Sequence, residues 1–290
     1  PDVNGIPGNY YYDPEADEEV LMQDPRWLRC STLLAGFAEA GLDVAAVTTK
    51  DKLRAFLSEG LPPSSTRFSV EKAHEVTLEV NGIAGVTDLV GRDNPGIYDP
   101  EASVFCIEAG ARLMTRTPPP RVLYLSTTDF VQHKYAPGSA GANAFYARLD
   151  LFLGELHRSG AIVGITADHG MNGKTKADGS PKVEYLESLL REAGVEEARV
   201  ILPITDPYVV HHGALGSYAT IYPHENHVER ATGCLQAIGG VIRGEITTLQ
   251  EVGTEFDVTR EWIRQRQAAI TKMLRRFLGN VDPVLWIPSE

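Results

Sequence analysis

Four residues in two short segments have the types and spacing to hold metal ions. Asp129 and His133 lie four residues apart in STTDFVQHKYAPG. On one helical turn that spacing puts a carboxylate and an imidazole on the same face, where both can bind one ion. Asp168 and His169 stand side by side in AIVGITADHGMNG, where an apolar run gives way to polar residues. A mixed oxygen and nitrogen donor set suits Zn²⁺, with Mn²⁺ or Fe²⁺ as substitutes. Two such pairs, each needing further ligands, suggest a two-metal site, the usual device for in-line phosphoryl displacement. Taken singly, each pair is also an ordinary polar turn or surface contact. Their meeting at one place is what would give them chemical weight.

Lys50 and Lys52 are the second candidate group. Most lysines are simply exposed, but these two follow an apolar strand and flank a helix start, an arrangement that favours anions. The remaining histidines have no partner spacing and read as structural. His74 and His157 fall on helices, His224 and His227 in a polar loop, and His211 and His212 between two short apolar runs. No dinucleotide, Walker or serine-elbow motif is present, and no basic aromatic stripe, so oxidoreductase and nucleic-acid readings have little support.

The elements that must position these groups follow from periodicity. Residues 43–49 (DVAAVTT) and 122–126 (VLYLS) predict buried strands, as does the apolar run 161–167. Residues 142–158 carry Phe145, Leu149, Phe152, Leu153 and Leu156 on one helical face. Strand 122–126, this helix and strand 161–167 would form a βαβ unit with parallel strands, bringing Asp129 and Asp168 to the same rim. Open α/β sheets bind their ligands at that carboxyl rim. Helices are also predicted over 32–40, from Lys52 onward (KLRAFL), and over 71–80, 101–116, 183–190, 228–238 and 258–278. Residues 1–30 read as loop. Tyr208 to Val210 and 217–222 suggest a hairpin, and 200–204 another strand.

The fold class expected is α/β: a parallel-rich sheet with helices on both faces, plus a small α+β cap. The divisions expected are a core over 1–197, a cap over 198–255, and a C-terminal helix and tail over 256–290.

Composition bounds the partners. The 290 residues are 43% hydrophobic and 23% charged, with a formal net charge of −12. Such an acidic chain is repelled by nucleic acid and by anionic membranes, yet a local cationic site can still take a small anion. Cys30, Cys106 and Cys234 are odd in number and widely spaced. They read as reduced thiols of a cytoplasmic protein, neither a disulfide frame nor a sulfur-ligated zinc site. No run approaches the ~18 apolar residues of a membrane span. The opening residue is not Met, so the natural start is expected upstream of Pro1. A homodimer is left open.

TTDFVQHKYAPG and ITADHGMN together resemble the alkaline phosphatase superfamily of metallohydrolases. GIPGNYYYDPEADEEVL, VTTKDKL and ILPITDPYVVHHGALGSYAT are similar, within it, to the phosphonoacetate hydrolase family, over about residues 3–222. The resemblance implies hydrolysis of the carbon–phosphorus bond of phosphonoacetate to acetate and phosphate, in phosphonate catabolism. It implies one zinc on Asp129 and His133 and another on Asp168 and His169. Lys50 and Lys52 would grip the charged ends of the phosphonate substrate, and Asn9 would help hold a phosphonate oxygen.

Two departures accompany the likeness. The aspartate and threonine nucleophile of that family would precede Pro1, and its Ser-His-Gly-Gly ligand segment is not found near the C-terminus. No catalytic nucleophile is therefore assigned, and the isolated chain is expected to hydrolyse phosphonoacetate very poorly. A phosphodiesterase or nucleotide pyrophosphatase of the same superfamily, and a non-catalytic fragment retaining partial metal or anion binding, stay open as alternatives.

Overall fold

The computed structural model describes residues 4–6, 8–13, 15–167, 170, 171, 173, 175–202 and 218–238. Two compact units divide the chain: Pro1–Glu184 with Val200–Ile221, and Tyr185–Arg199 with Tyr222–Glu290.

The first unit begins with a hairpin of β1 (Tyr10–Asp13) and β2 (Glu18–Leu21), antiparallel with Tyr10 opposite Leu21. This corrects the expectation of loop over 1–30. The run 15–17 is turn, and Asp17 takes a positive φ of 51° there. Short polar residues tolerate that region, so the acidic run is the tip of the hairpin.

α1 (Leu33–Glu39) follows, capped by Thr32, whose hydroxyl accepts from the Ala35 amide. Next come β3 (Val44–Thr48), α2 (Asp51–Ser58) and β4 (Thr66–Ser69). The predicted helix over 71–80 is replaced by a 3-10 turn at Ala73–Glu75 and α3 (Leu78–Asn81). Thr77 interrupts it: its hydroxyl caps the Val80 amide while the Asn81 side chain accepts from its own amide. Such local side-chain bonds compete with a continuous helix. α4 (Val86–Val90), α5 (Glu101–Leu113), β5 (Val122–Ser126), α6 (Phe130–Lys134) and α7 (Ala140–Arg158) complete the order. β6 (Arg199–Ile201) and β7 (Thr220–Tyr222) pair separately.

The sheet that matters for the site has the order β4-β3-β5, all parallel, with Thr48 opposite both Ser69 and Ser126. All five β3 residues are buried, as expected of a strand covered on both faces. Ala45, Val47 and Phe68 pack with Phe105, Cys106, Ala109 and Leu113 of α5. Val44 and Ala46 alternate to the other face, and α1 and α2 lie against β3. The crossover to β4 and the return to β5 lie on opposite sides of β3, so right-handed connections place α2 and α5 on opposite faces.

α5 is buried along its whole length except Glu101 and Arg112. Its outer side carries Val104, Ile107 and Ala111 against Phe145, Leu149, Phe152 and Leu156 of α7. The stripe read from the sequence thus covers a helix, which in turn covers the sheet.

Residues 161–167 do not form a strand, which corrects the βαβ expectation. Ile162 and Ile165 are 55% and 76% exposed, and only Val163 reaches the core beneath α7. An apolar run becomes a strand only where a neighbour takes its N–H and C=O groups. Among the described residues β5 has β3 on one side and no strand on the other. The predicted helix over 258–278, the strand at Tyr208 to Val210 and most of the cap over 198–255 lie outside the described residues.

In the second unit, α8 (Leu186–Glu192) and α9 (Val228–Gln236) pack together, with Leu190, Val195 and Ala231 buried. The Arg230 guanidinium donates to the Gly194 carbonyl at 3.1 Å. No helix among the described residues is long and apolar enough to cross a membrane.

One glycine is required by its surroundings. Gly82 ends α3 at φ 67°, and a Cβ there would stand 2.6 Å from the Ser65 carbonyl and 2.7 Å from that of Ser64. Left-handed backbone and overpacking add. Gly82→Ala is expected to lower unfolding free energy by about 2 kcal/mol in a urea titration. An unchanged midpoint would show that the 64–66 backbone yields freely.

Candidate functional site

The carboxyl ends of β3, β4 and β5 are drawn level by hydrogen bonds just past the strands. The Thr49 amide donates to the Ser126 carbonyl at 2.9 Å, and its hydroxyl reaches the same oxygen at 3.3 Å. The Val70 and Glu71 amides donate to the Thr48 and Thr49 carbonyls at 2.8 and 3.0 Å. Lys50 therefore leaves β3, and Asp129 leaves β5, from neighbouring positions on one rim.

Lys50 is the N-cap of α2 and Lys52 lies in its first turn. Asp51 between them would cancel part of their charge, but it is occupied. The Arg54 Nε and Nη2 atoms donate to its carboxylate at 2.6 and 3.2 Å, and the Ser69 hydroxyl at 2.9 Å. Burial works against ionisation of Asp51, yet those donors and the nearby Lys72 hold its carboxyl below the usual range. This neutralised pair went unread in the sequence, although Asp51 and Arg54 at i, i+3 are an ordinary helical ion-pair spacing.

The Lys52 ammonium donates to the Asn9 side-chain oxygen at 2.8 Å. Asn9 sits at the foot of the hairpin, where its carbonyl accepts from the Met22 amide at 2.8 Å. Burial, and then the positive charge of Lys50, push the Lys52 ammonium below the ordinary lysine range. A half-buried ammonium whose charge is disfavoured by burial and by a neighbouring cation is poised for an anion. Of the three expected substrate residues, Asn9 and Lys52 are in contact, and Lys50 is near enough to act on Lys52.

Asp129 is the N-cap of α6, with φ −89° and ψ 16°, and its side chain makes no capping bond. An aspartate in that position commonly accepts from the helix's own first-turn amides. Here its Oδ2 lies 2.8 Å from His133 Nε2, and the imidazole is largely buried while the carboxylate stays half-exposed. The predicted one-turn pairing is present. An oxygen and a nitrogen donor side by side, with the carboxylate reaching solvent, fit half of a Zn²⁺ site. Among the described residues no cluster of three or more His, Cys, Asp or Glu could hold a metal. Asp168 and His169 lie outside the described residues, as do His211 and His212.

The other expected bystanders are placed as structure. His74 pairs with the Asn94 side chain at 3.1 Å, and the His224 and His227 rings stand 6.4 Å apart in the second unit. All three cysteines are free. Cys106 is fully buried, which pushes its thiol up to about 12.

The sequence model of the type I phosphodiesterase / nucleotide pyrophosphatase family matches residues 1–238. The chain belongs to that family. It is a family of hydrolases in the alkaline phosphatase superfamily, so the motif resemblance and the α/β fold agree with it. Two crystal structures of phosphonoacetate hydrolase from Sinorhizobium meliloti 1021 are similar to this chain, one in complex with phosphonoacetate and one with phosphonoformate. Each is 46% identical, with a TM-score of 0.76, over 89% of this chain. The chain spans 63% of the length of that enzyme.

Proposed function

We propose that the chain carries the phosphonate-binding half of a zinc-dependent phosphonoacetate hydrolase site, producing acetate and phosphate. The observation that carries the reading is the rim itself. A doubly cationic anchor, Lys50 with Lys52 held by Asn9, stands on the strand next to the one that presents Asp129 and His133. Phosphonoacetate has an anion at each end, and such a rim offers a partner to both. The 46% identity to an enzyme whose structures hold phosphonoacetate and phosphonoformate supports the same substrate class.

Asp129 and His133 would hold one zinc, and Asp168 with His169 the other. Zinc bound there would polarise the phosphonate oxygens and stabilise charge developing on the departing carbon. The chain's own part is binding and orientation. Lys50 and Lys52 would fix the charged ends, and Asn9, whose side-chain oxygen accepts from the Lys52 ammonium, would offer its amide N–H₂ to a phosphonate oxygen. The hairpin carries Asn9 to within hydrogen-bond reach of Lys52. Arg54 keeps Asp51 from competing with the substrate for the two ammoniums.

A phosphodiester has one anionic phosphoryl group and no carboxylate for the second cation. Binding titrations of phosphonoacetate and of bis-p-nitrophenyl phosphate into the zinc-loaded chain compare the two classes. The expected result is at least about tenfold tighter binding of phosphonoacetate, the worth of one further charged contact of ~1.5 kcal/mol. Equal or tighter binding of the diester would move the reading to the phosphodiesterases of the family.

A further inference from the structure

The segment that presents Asp129 is held from behind by α5. The Ser103 hydroxyl, 1% exposed, accepts from the Thr128 amide at 3.1 Å and donates to the Thr128 carbonyl at 3.0 Å. Those two atoms belong to the peptide groups on either side of Thr128, and the second group is the one that joins Thr128 to Asp129. Fixing both planes fixes the direction in which the chain enters Asp129. One turn further along α5, the Cys106 thiol reaches the Ser126 carbonyl at 3.5 Å and the Val47 carbonyl at 3.6 Å. The same helix face therefore grips β3, β5 and the turn beyond β5.

A serine inside a helix ordinarily returns its hydroxyl to a carbonyl of its own helix or leaves it in water. Ser103 does neither. A buried hydroxyl costs free energy unless bonded, and this one both gives and receives a bond across 25 residues of chain. The dihedral angles of Asp129 withdraw its carboxylate from the capping position and leave it beside His133.

We propose that Ser103 is a positioning residue for the metal-binding pair, acting through the Thr128 peptide to aim the Asp129 carboxylate. The inference rests on the reading of Asp129 as a metal ligand. Partners that orient a ligand from behind are worth about 10- to 100-fold in metal affinity.

The test is a Co²⁺ titration of the full 290-residue chain, followed by its visible absorption, for wild type, Ser103→Ala, Ser103→Thr and Asp129→Asn. Ser103→Ala is expected to weaken Co²⁺ binding about tenfold, and Ser103→Thr, which keeps the hydroxyl, to restore most of it. Unchanged binding in Ser103→Ala, with binding lost in Asp129→Asn, would overturn the positioning role alone. Unchanged binding in Asp129→Asn would overturn the metal reading and this inference with it. If Ser103→Ala does not fold, Ser103→Cys replaces it, keeping the volume while weakening both hydrogen bonds, with the same two outcomes. Amide exchange in the unmodified chain gives an independent reading: protection of the Thr128 amide comparable to β5 supports the clamp, and exchange at the rate of an exposed amide overturns it.

Discussion

Asp129→Asn is expected to weaken zinc binding by more than about a hundredfold. Asparagine keeps the size of aspartate and one oxygen, so the loss isolates charge from shape. Orienting partners alone are worth about 10- to 100-fold, and removing the anionic donor itself exceeds that range. The charge-assisted contact between the carboxylate and His133 at 2.8 Å would also be replaced by a neutral one. Competition with a chromophoric chelator measures the change. Asp150→Asn, on the exposed side of α7, is the control and should bind zinc as wild type does. A change within about threefold for Asp129→Asn would remove Asp129 from the metal site.

Lys52→Met should lower phosphonoacetate affinity by about 2–3 kcal/mol, or roughly 30- to 150-fold. Methionine keeps an unbranched apolar stem and deletes the ammonium that bonds Asn9. The effect has a pH signature with a definite sign. Burial and Lys50 lower the Lys52 pKa, so Lys52 loses its proton before an ordinary lysine does as pH rises. Only the protonated form attracts the anion, so binding falls through that lowered pKa. By linkage, phosphonoacetate should raise it and take up protons on binding in that window. Calorimetry in buffers of different ionisation enthalpy reads the uptake. Uptake and affinity unchanged in Lys52→Met would place the anion elsewhere.

How far these residues were legible in the sequence depended on whether their partners are near or far in the chain. Asp129 and His133 were readable because their contact spans one helical turn. The strand 44–48 was readable because its burial on both faces leaves four of its five side chains apolar. Helix α7 carried its periodicity openly. By contrast, β4 is a four-residue strand, TRFS, with no alternation to distinguish it from the loop beside it. The hairpin of β1 and β2 hides in a run of tyrosines and acids whose pairing depends on turn geometry. Residues 161–167 failed in the opposite direction: their apolar pattern described a buried strand that the described fold leaves unpaired. Ser103 was invisible for a third reason. Its partners lie 25 residues away, and a serine among apolar helix residues shows nothing of what its hydroxyl will meet.

Titration calorimetry of phosphonoacetate into the chain, with and without zinc, tests the central claim most directly. A cationic anchor and a metal-binding pair on one rim would serve the two ends of one small molecule. Binding is expected at about one molecule per chain with zinc present, weakened by at least about tenfold when zinc is removed, since the metal would contribute a charge-assisted contact of ~1.5 kcal/mol or more. Absence of binding to the zinc-loaded chain, or binding of the same strength with and without zinc, would contradict that claim.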